Sequence, residues 1–218
     1  MDLNEAINKR RSVRIFSETP VNQDIANQLI ESAILAPSAC NIQGWRFIVI
    51  DDQTIKDRLV QNGASIAIKK SPIGILVLYD NRTQNFEYRD NIQSAAAGIE
   101  NLLLTATHLG LGACWICHLP PKKQIKKIFS LPAAIDPIAY IILGQPKNAT
   151  ADMPRKYTLE QITGYNKFQG PDHDFERIPL KIPAKKILIK IYYLLPEFIK
   201  HGWLNRYVDR KFVKKFEN

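Results

Sequence analysis

Residues 90–109, DNIQSAAAGIENLLLTATHL, hold the pattern that most limits what this chain can become. Ile92, Ala96, Ile99, Leu103, Ala106 and Leu109 recur at helical spacing and predict one apolar side, while the small residues from Ser94 to Gly98 permit close packing by another element. A helix of about 20 residues is roughly 30 Å long, the diameter of a small domain. This stretch is the clearest helix in the chain. Gly110 ends it, and Gly112 leads into a short strand within GLGACWICHL (110–119).

Helical and strand-like segments alternate on both sides. Residues 2–10 suit a short helix that delivers Arg10, Arg11 and Arg14 near its end. Asn22 is an N-cap candidate and Asp24 suits a first turn; Ile25, Leu29, Ala33 and Ile34 supply an apolar face, and Pro37 stops the helix. WRFIVID (45–51) is strand-like by its β-branched and aromatic content, and DDQTIKDRLVQNG is a capped helix closed by Gly63. SPIGILVLYD (71–80) and DPIAYIILGQP (136–146) read as buried strands, with a helix from Pro120 and Pro121 to Phe129 between them. There is no internal repeat. The class is α/β or α+β.

The chain has 218 residues, 45% hydrophobic and 23% charged, which is the balance of a soluble globular protein able to build a real core. Cys40, Cys114 and Cys117 form no even disulfide framework, and Cys114-x-x-Cys117 lacks the second Cys or His pair of a zinc site, so no metal is expected. MDLNEAINKRRS is polar where an export signal is apolar, and no uninterrupted apolar run approaches the length of a membrane span. The expected location is the cytoplasm. Net charge is +9, unevenly spread: residues 165–218 carry 12 Lys and Arg against 6 Asp and Glu, while residues 1–164 carry 18 against 15. A nearly balanced body argues against a nucleic-acid-binding surface there.

Three stretches carry candidate chemistry, each with an ordinary alternative. RRSVR (10–14) packs three guanidiniums and a hydroxyl into five residues, either as an anion site or as a solvated basic turn. APSACNIQGWR (36–46) holds Ser38, Asn41 and Gln43 after a stiffening Pro37; these side chains can meet the edge of a planar heterocycle or satisfy a tight turn. In GLGACWICH, backbone approaches something closely or the helix simply ends, and Cys117 and His118 are packing residues or reactive ones. No GxGxxG or P-loop is present, and no Ser/His/Asp order suggests a hydrolase.

Taken in order, RRSVRIF, PSACNIQGWRFIVI, DNIQSAAAGIENLLLTATHLGLGACWI, LGQP and a downstream PRK resemble the FMN-dependent nitroreductase family over residues 1–163. The resemblance implies an α+β sandwich with a central mixed sheet flanked by helices, and a homodimer with two FMN molecules at its interface. It implies that Arg10 and Ser12, with Arg155 of the PRK segment, hold the FMN phosphate, with Arg11 near the phosphate or ribityl chain. A partly buried phosphate needs such paired guanidiniums to offset desolvation. Arg14 corresponds to the basic residue at the flavin pyrimidine, where a fixed charge favours the reduced anionic flavin. Pro37, Ser38, Ala39, Asn41 and Gln43 correspond to the loop that reaches the partner's FMN, which makes the site composite. Trp115, Ile116, Cys117 and His118 correspond to the strand whose backbone N–H groups approach N5, a role that asks nothing of the Cys117 thiol.

The implied reaction is ping-pong: NADH or NADPH reduces FMN and leaves, and a nitroaromatic, quinone or enone is then reduced in the same slot. The alternative is a flavin-binding accessory or membrane-associated protein of the same fold without NAD(P)H turnover. Gly44 stands where Pro is commoner in that family, which predicts a more flexible loop.

Residues 164–218 form a basic extension beyond the family core. Ile187 to Leu195 is apolar almost all round, with Lys185, Lys186, Lys190, Lys200 and Arg206 nearby. It can wrap the dimer partner, lie through residues 185–215 on an anionic inner-membrane surface, or dock another protein.

Overall fold

The computed structural model describes residues 1–149 except 83, 84 and 86, together with residues 153–168. Contacts divide the chain into a first unit, Met1–Thr150, and a second, Ala151–Asn218. The readings made for residues 169–218, including the membrane-facing one, lie outside the described residues.

In the first unit, α1 (Leu3–Lys9) and α2 (Gln23–Ile34) precede β1 (Trp45–Ile50), α3 (Gln53–Gln61), β2 (Ile73–Asp80), α4 (Asp90–His108), β3 (Gly112–Ile116), α5 (Lys122–Ile128) and β4 (Ile135–Gly144). In the second, α6 (Leu159–Ile162) is a single turn with a Thr158/Gln161 capping box. The local start signals work as expected: the Asn22 side chain accepts the Asp24 N–H, and the Asp52 side chain accepts the Thr54 N–H. Gly110 closes α4 with φ of +75°.

The strands form one sheet in the order β1-β2-β4-β3, and every neighbouring pair is antiparallel. Among the described residues, the mixed character expected of the sheet is confined to one isolated parallel bridge, Ser12 to Ala113. Helices cover both faces. Ile75, Val77, Ile141 and Leu143 pack with Leu29 of α2 and Ile99, Leu102 and Ala106 of α4; Leu76, Leu78, Tyr140 and Ile142 pack on the other side with Leu59 of α3 and Ile125 of α5. Adjacent strand residues thus serve opposite cores, the period-two rule of a sheet buried on both faces. The fold is α+β.

Two predicted faces turn. On α2, Ala26 is buried and Ile34 exposed; on α4, Ile92 is exposed while Asn91, Ser94, Ala95 and Gly98 are buried. At Gly98 a small residue is required, because a Cβ there would stand 3.0 Å from the Ala33 carbonyl oxygen of α2, whereas Ile99 beside it is buried in the shared core. Among the described residues no helix is long and apolar enough to cross a membrane.

Candidate functional site

The RRSVR segment leaves α1 in extended form and meets the free edge of β3. The Val13 N–H donates to the Ala113 carbonyl at 2.9 Å, and Ser12 bridges Ala113. Gly112 makes this contact possible, since an ideal Cβ there would stand 2.7 Å from Val13 Cγ1. Arg10, at the C-cap of α1, has Nε 3.9 Å from Glu100 on α4, a half-exposed pairing of small energetic weight. Arg11 turns back, donating to the Asn8 and Arg10 carbonyls, where a cation suits the negative end of a helix. Arg14 is exposed and donates to the Ser12 carbonyl at 3.4 Å.

Cys114 is buried directly behind this segment. Burial pushes its thiol pKa up, opposed by the Arg14 charge, a Ser12 hydrogen bond and the Arg10 charge. Trp115 is half-buried and Ile116 ends the strand; Cys117, just beyond, is exposed, and the His118 carbonyl accepts the Ser65 N–H at 3.0 Å. Neither Cys117 nor His118 lies within the strand itself. Among the described residues no group of three or more His, Cys, Asp and Glu could hold a metal.

The loop 37–43 is a tightly bonded turn of unusual backbone. Cys40, Asn41 and Gln43 have φ of 49°, 55° and 52°, and left-handed conformations cost on the order of 1–2 kcal/mol per non-glycine residue, less for asparagine. The Ser38 hydroxyl accepts the Gln43 N–H at 3.0 Å, and the Gln43 side-chain amide donates to Asn41 Oδ1 at 2.8 Å. From α4, the Ser94 hydroxyl accepts the Ala39 N–H at 3.0 Å, and the Ser94 carbonyl accepts the Trp45 indole N–H at 3.0 Å. Gly44 is not the flexible joint expected: it is buried, and a Cβ there would stand 2.7 Å from the Tyr79 ring, which Trp45 meets edge-on with centroids 6.0 Å apart. Exposed Asn41 and Gln43 present their amides outward.

Within the first unit the predicted site residues fall into two groups. Arg10, Arg11, Ser12, Arg14 and Trp115 to His118 gather at the β3 edge, whereas Pro37, Ser38, Ala39, Asn41 and Gln43 precede β1 at the opposite edge. Three strand spacings separate the edges, about 14 Å, and the levels of Tyr79 and Ile73 on β2, which align with Trp45 and Ala113 through the register, are about 20 Å apart. The arginine segment, paired at Ala113, and the loop before β1 thus lie at diagonal corners of one sheet, while Trp115 and Ile116, which align through β4 with Ile75 and Leu76 on β2, run back along the β3 edge toward the level of the loop. Arg155 is exposed in the second unit. Sequence reasoning did not single out Ser94 or Val13, because each acts through a neighbour distant in the chain.

A model of the nitroreductase family matches residues 7–70 and 60–145. A curated relative from Methanothermobacter thermautotrophicus, named "Putative NADH dehydrogenase/NAD(P)H nitroreductase", is 29% identical over 150 residues, 67% of this chain and 78% of the relative. Among solved structures, a nitroreductase family protein from Clostridium difficile 630 is 26% identical with a TM-score of 0.68, covering 77% of this chain and 100% of that one. A "putative nitroreductase in complex with FMN" from Desulfovibrio desulfuricans is 28% identical with a TM-score of 0.66, covering 77% of this chain and 98% of that one.

Proposed function

This chain belongs to the nitroreductase family, and we propose that it is an FMN-dependent oxidoreductase that passes reducing equivalents from NADH or NADPH to an electron-poor nitroaromatic, quinone or enone by a ping-pong scheme. The observation that carries the reading is the pairing of Val13 with Ala113, which brings a cluster of guanidiniums and the Ser12 hydroxyl to the edge of the GACWI strand. FMN fits that donor set: its phosphate calls for charge-assisted hydrogen bonds, and its isoalloxazine for a strand edge and a nearby positive charge. The FMN complex of the Desulfovibrio relative supports the same assignment. Bound there, FMN supplies two-electron transfer between nicotinamide and acceptor.

The residues of the chain bind and orient. Arg10 and Ser12, with Arg155, hold the phosphate, and Arg11 closes the end of α1 beside it. Arg14 offsets negative charge at the pyrimidine end of the ring, and backbone N–H groups from Trp115 to His118 face N5. Pro37, Ser38, Ala39, Asn41 and Gln43 serve the FMN of a partner subunit in a homodimer. The place of the two residue groups at opposite edges of the sheet supports this composite site. The flavin-binding part runs from 1 to 163, with 164–218 as an appended basic extension.

The test is spectroscopic. The purified full-length protein should be yellow or take up FMN, bleach anaerobically with NADH or NADPH, and regain colour with a quinone or nitroaromatic. Failure to bind added FMN overturns the reading; FMN binding without bleaching removes the NAD(P)H-oxidoreductase part and leaves a flavin-binding protein.

A further inference from the structure

Ser94 is 4% exposed on α4 and fastens both ends of the 37–43 loop. Its hydroxyl donates to the Asp90 carbonyl at 2.8 Å, the back-bond of a helical serine, and accepts the Ala39 N–H at 3.0 Å. Its carbonyl accepts the indole N–H of Trp45, the first residue after the loop, at 3.0 Å. Between those two anchors stand three residues with left-handed backbone, Cys40, Asn41 and Gln43. Residues in such conformations persist only where their surroundings hold them. The helix itself has no need of this hydroxyl, since alanine is the better helix former. Its use is at the loop.

We infer that Ser94 is a positioning residue for the half of the flavin site that the loop contributes; this rests on the reading above that the loop meets FMN. Both hydrogen bonds of the Ser94 hydroxyl are to backbone groups. By fixing Ala39, while its carbonyl fixes Trp45, it holds the left-handed turn that presents the Asn41 and Gln43 amides outward. Release of either anchor lets the loop relax toward commoner backbone conformations and scatters those amides.

Full-length Ser94→Ala and Trp45→Phe each remove one anchor while keeping the helix and the aromatic ring. Lys56→Met is the control. Lys56 is buried, donates to the Ser71 and Pro72 carbonyls at 3.1 and 3.2 Å, and lies on α3, which covers the other face of the sheet. FMN affinity is measured by flavin fluorescence titration, and the environment of the bound flavin by visible circular dichroism. Ser94→Ala and Trp45→Phe should each weaken FMN binding about tenfold, the scale of one hydrogen bond, and alter the flavin dichroism. Lys56→Met should lower the melting temperature and leave both unchanged, while Ser94→Thr, which keeps the hydroxyl, should recover most of the affinity. Wild-type affinity and dichroism in both loop-anchor variants overturn the inference, as does a loss that Lys56→Met reproduces. If the wild-type protein takes no FMN, the functional reading falls first and the inference with it.

Discussion

Gly112→Ala tests the contact that joins the arginine segment to β3. Gly112 is not among the glycines with positive φ, so alanine meets no backbone penalty and the effect is steric. The added methyl would lie 2.7 Å from Cγ1, 2.8 Å from Cβ and 3.0 Å from Cγ2 of Val13. These are about 1 Å inside ordinary carbon–carbon contact. Rotation about χ1 cannot help, because Cβ itself is in the way, so residues 12–14 must retreat by about 1 Å. That disrupts the 2.9 Å Val13 N–H···O=C Ala113 bond, at about 1 kcal/mol, and overpacking adds about 1–3 kcal/mol. A total of about 2–4 kcal/mol corresponds to a melting-temperature drop of roughly 5–15 °C in a unit of this size. Arg10 and Ser12 move with the segment, so FMN affinity should fall at least about tenfold, as weakened charge-assisted hydrogen bonds require. Val13→Gly removes all three obstructing carbons, and the double variant should bind FMN more tightly than Gly112→Ala alone. Calorimetry and flavin titration give both quantities. Wild-type melting and affinity in Gly112→Ala, or a double variant no better than the single one, would refute the steric argument.

Arg10→Ala and Arg155→Ala should each weaken FMN binding by about 1.5–3 kcal/mol, the range for a hydrogen bond to a charged group; unchanged affinity in titration removes the residue from the phosphate site. Native alkylation followed by peptide mass spectrometry should label exposed Cys40 and Cys117 well before buried Cys114, whose thiol is pushed up in pKa by burial; equal labelling contradicts the packing of β3. Acid should destabilise the fold through two carboxylates. Burial raises the Asp136 pKa, but hydrogen bonds from Lys126 and Lys122 lower it further, and the Arg82 side chain holds Asp80 down at about 2. Both folded values lie below the unfolded ones, so their stabilisation is present above about pH 4 and is lost as pH falls toward about 2. In calorimetric scans Asp136→Asn should lower the melting temperature at pH 7 and reduce its acid dependence; an unchanged pH profile would exclude Asp136 as a contributor.

The sequence made the elements legible where the signal is local. Asn22 and Asp52 cap helices because a short polar side chain reaches an N–H two residues on, and Gly110 ends α4 because its φ of +75° suits glycine. The faces of α2 and α4 were less legible. Periodicity selects an angle around the helix, but the neighbour decides which side goes inward: α2 lies against Gly98, the loop and Trp45 lie against Ser94, and Ile92 is left exposed. Gly44 was misread as flexible for a related reason: its neighbour in space is Tyr79, which no local pattern announces.

What the sequence determined by itself is the order of motifs, RRSVR, APSACNIQGWR and the helix ending in GLGACWI, and through that order the family. Those motifs carry their chemistry in residue type, which no folding is needed to read. Only the tertiary structure decided how they are arranged. Strand pairing puts β1 and β3 at opposite edges of the sheet, so the polar loop and the arginine segment, both near the N-terminus, end at diagonal corners. The antiparallel register and the contacts of Ser94 and Gly112 follow from packing between residues far apart in the chain, and packing of that kind leaves no mark on neighbouring residues.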